Sequence, residues 1–322
     1  MVRRIVVLGG AGLIGTHLCL RLLDEGHEVF CVDIRDSSAS PLLRRVSEHP
    51  SFRFVRHNVV DPFGIRCDRI YNLSAPLSRQ HDRVMPVEAL RTDIWGSMNA
   101  LEIARRERAR VVLASSGDVY VNGYRENITD ERMPRSYRQL RAEGKRAAEA
   151  LHRACRVQYG VDTRIARIFN TYGTGCDATD QRVVMRMVSA ALTNRDLVVY
   201  GSGEQLRTFC WVGDTVEGLV RLMEAEPGDA MLTVNLGSDH EISIRTLAEK
   251  IVALTGSRSR IVHKEARLDD LHRRMPDLSA ARTRLNWTPG TSLTEGLRCV
   301  IAYVEKQLAA DSLASMSWVE VH

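Results

Sequence analysis

A chain of 322 residues, 44% hydrophobic and 26% charged, can bury a large core and has the composition of an ordinary water-soluble globular protein, with two lobes expected. A net charge of +5 without any helix-turn-helix, zinc-finger or RNA-binding pattern favours a small anionic ligand over nucleic acid. No apolar stretch has membrane-spanning length, the first residues read as a strand rather than a signal peptide, and the seven scattered cysteines lack metal-ligand or disulfide-framework spacing, so a cytoplasmic protein with reduced thiols and no metal site is expected.

Ile5-Val6-Val7-Leu8 is a short apolar run with β-branched residues and predicts the first strand. A helical pattern follows from Leu13 to Glu25. Between them Gly10-Ala11-Gly12-Leu13-Ile14-Gly15 matches Gly-x-Gly-x-x-Gly, with Gly9 in front, in the strand-then-helix setting that gives this motif meaning. Glycines permit the tight turn and let backbone approach a pyrophosphate, and the helix N-terminus adds N–H groups and a favourable dipole. The second strand, Val29–Val32, ends in Asp33, where a carboxylate can hold a ribose 2′-hydroxyl. NAD is therefore preferred over NADP, with Arg35 as the counterweight. Phe52–Val55, Arg69–Leu73 and Arg110–Ala114 predict three more buried strands, and a long helix is expected from about Pro86 to Arg108. Its closing basic run, Arg105 to Arg110, suits a helix C-terminus.

After Gly173 the order changes. Arg182–Thr193 reads as a helix and Leu197–Tyr200 as a short strand, followed by helical segments at Asp214–Ala225, Ser243–Leu254 and Leu293–Leu308. Strands alternating with helices imply right-handed crossovers and a parallel sheet covered on both faces. The expected fold is α/β: a Rossmann-like, doubly wound parallel sheet over 1–172, a smaller C-terminal α/β lobe over 173–310 that can return segments to the first sheet, and a tail over 311–322.

Arg141 and Lys145 stand four residues apart, which on a helix places both side chains on one face. Lys145 is one of only four lysines, the others being Lys250, Lys264 and Lys306, among 45 basic residues. In so arginine-biased a chain, a lysine inside a motif marks a requirement.

Tyr-x-x-x-Lys at this place is the catalytic signature of the short-chain dehydrogenases, which the chain resembles with Arg141 in the tyrosine position. The resemblance runs from the phosphate loop to about residue 308. It is carried by Gly9 to His17, Gly26-His27-Glu28-Val29, His57-Asn58-Val59-Val60, Leu113-Ala114-Ser115, Glu143-Gly144-Lys145-Arg146, Ala166 to Thr171, Arg182-Val183-Val184, Tyr200-Gly201-Ser202-Gly203 and Pro276-Asp277. Among extended short-chain dehydrogenases that act on nucleotide sugars, the chain is most similar to the UDP-glucuronate decarboxylases, also called UDP-xylose synthases.

This resemblance implies an NAD site formed by Gly9, Gly12, Leu13, Ile14, Gly15, Asp33, Asn58, Val59, Leu73, Ala75, Thr92, Lys145 and Arg167. It implies a sugar-nucleotide site from Arg91, Asn99, Asn170, Arg182, Val183, Tyr200, Gln205, Arg207 and Arg274. Asn58 replaces the usual Asp and Arg91 the usual Lys. Guanidinium groups suit the phosphates and carboxylate of such a substrate. The implied reaction oxidises C4 of a glucuronosyl ring, loses carbon dioxide from the resulting β-keto acid and reduces C4 again, with NAD tightly held and recycled. A homodimer formed through the long helices near Pro86–Arg108 and Ser136–Gln158 is also implied.

The catalytic group implied is Ser116, Asp118, Arg141, Lys145 and Arg274. Asp118 stands where the family usually has Glu. Arg141 cannot act as a base because guanidinium stays protonated, although it can stabilise an oxyanion or a carboxylate. The C4 proton must go to Asp118, His81, Tyr137 or a water relayed through Ser116. The loop Leu77 to Arg83 also departs from the family's Pro- and Tyr-rich pattern. The competing readings are a 4-epimerase, a 4,6-dehydratase, and a sugar-nucleotide-binding protein without catalysis. Ser116-Gly117-Asp118 lacks the adjacent Asp-Glu pair that a dehydratase needs.

Overall fold

The apolar runs at the start of the chain become the centre of one sheet. In a computed structural model, residues 1–38, 40–75, 85–120, 137–176, 180–226, 231–266 and 275–317 are described. The first strands are β1 (Arg4–Leu8), β2 (Glu28–Asp33), β3 (Phe52–Arg56), β4 (Arg69–Asn72), β5 (Arg110–Ser116) and β6 (Thr163–Ile168). With β11 (Thr233–Leu236) they form a parallel sheet in the order β11-β6-β5-β4-β1-β2-β3. Ile5, Val6, Val7 and Leu8 are fully buried, because a parallel strand covered by helices has no solvent face.

The chain reverses its winding between β1 and β4. At such a switch point the two connecting loops splay apart and leave a crevice beyond the strand ends. Three described helices border it. They are α1 (Leu13–Asp24), α3 (Pro86–Glu107) and α4 (Tyr137–Tyr159), with the short α2 (Pro41–Ser47) beyond β2. Helix α3 ends at Arg108 in the left-handed conformation.

The second lobe has its own core around Val188, Leu197, Val199, Leu247, Ile251 and Val304. It is built from α5 (Val183–Leu192), α7 (Ile244–Thr255) and α9 (Leu293–Ser317), with small pairings of β7 (Thr171–Tyr172) with β10 (Cys210–Trp211), β8 (Leu197–Tyr200) with β13 (Ile261–Lys264) and β9 (Leu206–Thr208) with β12 (Glu241–Ser243), while the short α8 (Ser279–Leu285) packs into the core of the first sheet. The lobes are not cut cleanly at 173. Strand β11 returns to the edge of the first sheet, and α6 (Val212–Glu224) shares buried packing with α1 and the first sheet. Helix α9 continues to Ser317, past Asp311, where the sequence pattern suggests a tail. The seven cysteines are free thiols.

Candidate active site

The glycines after β1 have different reasons to be glycine. A Cβ at Gly10 would lie 2.5 Å from Cys31 Sγ, and one at Gly15 would lie 2.6 Å from the backbone of Gly9 and Gly10. Gly9 has φ +73°, and a Cβ there would meet Leu73 and Ser74 backbone at 2.8 Å. At Gly12 the nearest atom would be Gly9 O at 3.4 Å, so that face stays open to a ligand. Gly12 is the N-cap of α1 and makes no side-chain cap, which leaves the first-turn amides to a ligand. Leu13 and Ile14, half-buried, open this turn.

Asp33 is buried at the end of β2. Its Oδ2 accepts from Ala11 N at 3.0 Å and its Oδ1 from Arg35 N at 2.9 Å. The loop thus fixes the carboxylate while each oxygen keeps a lone pair. An open glycine face, uncapped helix amides and a clamped carboxylate fit a dinucleotide.

On the other side of the switch point, Asn58 is exposed, and its Oδ1 accepts from Val60 N at 3.2 Å. Val59 is buried against Gly96 of α3. Asn99, expected at the sugar nucleotide, spends its amide on Val59 O and Val60 O at 2.8 and 3.0 Å. It braces the loop after β3. Leu73, Ser74 and Ala75 continue from β4 over Gly9. Thr92 turns its hydroxyl back to Glu88 O at 2.9 Å.

Lys145 is buried in α4. Its Nζ lies 2.8 Å from Asp93 Oδ1 and donates to Ser74 O at 3.3 Å. Asp93 was not anticipated. It could have been found, because Ala89, Asp93, Gly96, Ala100 and Ile103 recur at helical spacing on the buried face of α3, and a carboxylate in such a stripe calls for a cation. Gly144 explains the close approach of the two helices, since a Cβ there would lie 2.8 Å from Asp93 Oδ2. Arg141, half-buried, lies one turn before Lys145. Residue 137 is already helical, so Tyr137 stands two turns from Lys145, about 12 Å along the axis. His81, Arg274 and the loop Leu77 to Arg83 lie outside the described residues.

Strand β5 ends in Ser116 and runs into a 3-10 turn, Gly117–Tyr120. Ser116 Oγ donates to Asp118 Oδ2 at 3.1 Å and accepts from Asp118 N at 3.1 Å. Asp118 is buried and Ser116 half-buried. Arg146 ties this turn to α4 through two bonds to Val119 O at 3.0 and 2.9 Å.

Below the site, Arg167, expected at the cofactor, turns inward. It holds Glu149 with two parallel bonds of 2.9 and 2.6 Å and donates to the Tyr120 hydroxyl at 2.8 Å. Ser115 donates to Glu149 at 2.7 Å. Burial opposes the Glu149 carboxylate, but the Arg167 and Ser115 bonds outweigh it and hold its carboxyl below the ordinary range. His152, fully buried on the same helix, is pushed down to about 3 by burial and then by the Lys145 charge.

The expected sugar-nucleotide residues divide. Asn170 donates to Thr208 O at 3.1 Å, the Gln205 amide to Tyr200 O at 2.9 Å, and the buried Arg207 to Leu206 O at 2.6 Å, so these lie together around β8 and β9. Arg182, the N-cap of α5 just before Val183, pairs with Asp180 at 2.6 Å. Arg91 stands apart. It pairs with Glu88 at 3.2 Å and lies over the Trp95 ring on the exposed face of α3.

A 3-2-1-4-5-6 parallel sheet with a glycine-rich first turn, a strand-end serine and a buried lysine on the long helix that follows defines an extended short-chain dehydrogenase/reductase. The family model described as GDP-mannose 4,6 dehydratase matches residues 6–300. UDP-glucuronic acid decarboxylase 1 of Danio rerio is 38% identical over 310 residues, 95% of this chain and 73% of that protein. UDP-glucuronic acid decarboxylase 1 of Arabidopsis thaliana is 39% identical over 298 residues, 91% of this chain and 68% of that protein. The chain belongs to the UDP-glucuronic acid decarboxylase family of extended short-chain dehydrogenases/reductases. In fold it is like the UDP-glucuronic acid 4-epimerase of Bacillus cereus, solved in complex with UDP-glucuronic acid and NAD, with a TM-score of 0.81 at 21% identity, covering 94% of this chain and 99% of that one.

Proposed function

We propose that this chain decarboxylates a nucleoside diphosphate glucuronate to the corresponding xylose nucleotide, with NAD as its resident redox group. Bound NAD would supply hydride acceptance and return at C4 of the sugar. The chain's own residues do the rest. The observation that carries the reading is the Ser116–Asp118 couple at the end of β5, on a scaffold that keeps Lys145 but offers Arg141 in place of a phenol.

Arg141 cannot take the C4 hydroxyl proton. Ser116 can accept it while passing its own proton to Asp118 Oδ2, so Asp118 is the base and Ser116 the relay. Arg141 instead supplies fixed positive charge for the oxyanion that develops at C4 as carbon dioxide leaves. Loss of carbon dioxide requires no base at C5, whereas elimination in a dehydratase does, and Gly117 supplies no second carboxylate. The residues around Tyr200, Gln205 and Arg207 would take the nucleotide, and Asp33 with the Gly9–Gly12 turn the dinucleotide.

The test is incubation of the purified protein with UDP-glucuronate and with dTDP-glucuronate, read by NMR of the sugar. Loss of C6 and a xylosyl product are expected with at least one of them. A galacturonosyl product, or unchanged substrate with both, would overturn the reading.

We also propose that the chain acts as a homodimer. Val87, Arg91, Trp95 and Met98 recur along one exposed face of α3, with Trp95 54% and Met98 52% exposed. Trp95→Asp is expected to convert a dimer to a monomer in light scattering. A parent protein that is already monomeric sinks this part.

A further inference from the structure

Two buried charges meet where the site faces a dinucleotide. The side chains of Lys145 and Asp93 are 7% and 3% exposed, and Nζ lies 2.8 Å from Oδ1. A buried pair of this kind adds little net stability over apolar residues of like size, so packing alone does not account for it. Helix α4 even carries a mid-helix glycine, Gly144, that makes room for the Asp93 carboxylate.

The oxidised nicotinamide would add a positive charge beside the Lys145 ammonium, which its reduced form lacks. Asp93 is the carboxylate that contacts Lys145 among the described residues. We propose that Asp93 is a positioning residue that anchors the Lys145 ammonium and offsets its charge, so that the site holds the oxidised and the reduced dinucleotide comparably. A reaction that oxidises and then reduces the same carbon with one recycled cofactor needs both forms retained. The inference rests on the NAD reading above and not on the identity of the sugar.

The test uses the full chain freed of nucleotide. NADH binding is followed by its fluorescence, and NAD+ binding by competition. In the parent the pair is neutral. Asp93→Asn removes the negative member of the pair and is expected to shift the affinity ratio toward NADH on the order of tenfold. Lys145→Met leaves one net negative charge and is expected to shift the ratio toward NAD+. The double variant Asp93→Asn/Lys145→Met is neutral again, and its ratio is expected to return to the parent's.

A merely structural role would weaken both nucleotides together and leave the ratio unchanged. That result, or a double variant that fails to revert, overturns the proposal. If Asp93→Asn does not fold, the Lys145→Met and double variants still differ by the one carboxylate, and equal ratios in those two overturn it. A parent that binds neither nucleotide would instead overturn the NAD reading.

Discussion

Asp118→Asn is expected to lower kcat by about 10²–10⁴-fold, the range for loss of a positioned general base. The amide keeps the size of the carboxylate and can still accept the Ser116 hydrogen bond, so the 3-10 turn should stay in place. It cannot take a proton. Affinity for the nucleotide sugar should change little, because the groups around β8 and β9 are untouched. Ser116→Ala should produce a loss of similar size, and the double variant should lose little more than either single one, as the proposed relay and base acting as one unit require. Additive losses, or a near-normal kcat for Asp118→Asn, would place the base elsewhere.

The second large effect is expected at Gly9. Gly9→Ala forces a Cβ to within 2.8 Å of the backbone of Leu73 and Ser74, at a φ of +73° that L-residues avoid. Backbone cannot rotate away as a side-chain tip can, so the loops after β1 and β4 must part. Left-handed strain and overpacking together should cost about 2–5 kcal/mol of stability. Displacement of the loop should weaken dinucleotide binding, read as a raised Kd in nucleotide titrations. Gly26 is the control. It has φ +80° but nothing within 4 Å of an added Cβ. Gly26→Ala should show the strain alone in thermal unfolding and leave nucleotide titrations unchanged. Equal behaviour of the two variants would contradict the role given to the loop contact.

The parallel sheet was legible because its strands are continuous apolar runs, and the place of the glycine-rich turn because its glycines follow a strand and open a helix. The place of Asp33 at the end of β2 followed from the same pattern. Other roles were not legible, because a motif gives a residue's place and not its direction. Arg167 lies in a matching stretch, yet its guanidinium pairs with Glu149, a residue 18 positions earlier on another element. Asn99, expected around the sugar nucleotide, spends its amide on the loop after β3. Arg91 and Thr92 are neighbours, but one helical step of about 100° turns Arg91 to the exposed stripe. Asp93 escaped notice because its partner Lys145 is distant in sequence and the two meet only when α3 packs on α4 at Gly144.

The return of β11 to the first sheet has a consequence for how the chain is made. Strand β6 ends at Ile168, but the strand that covers its free edge begins only at Thr233. During synthesis the nascent sheet therefore exposes an unpaired edge while the whole stretch between them is translated. Such an edge is a template for pairing with other chains. The wait is set by ribosome speed and not by packing, which makes the chaperone supply in an expression host a determinant of yield.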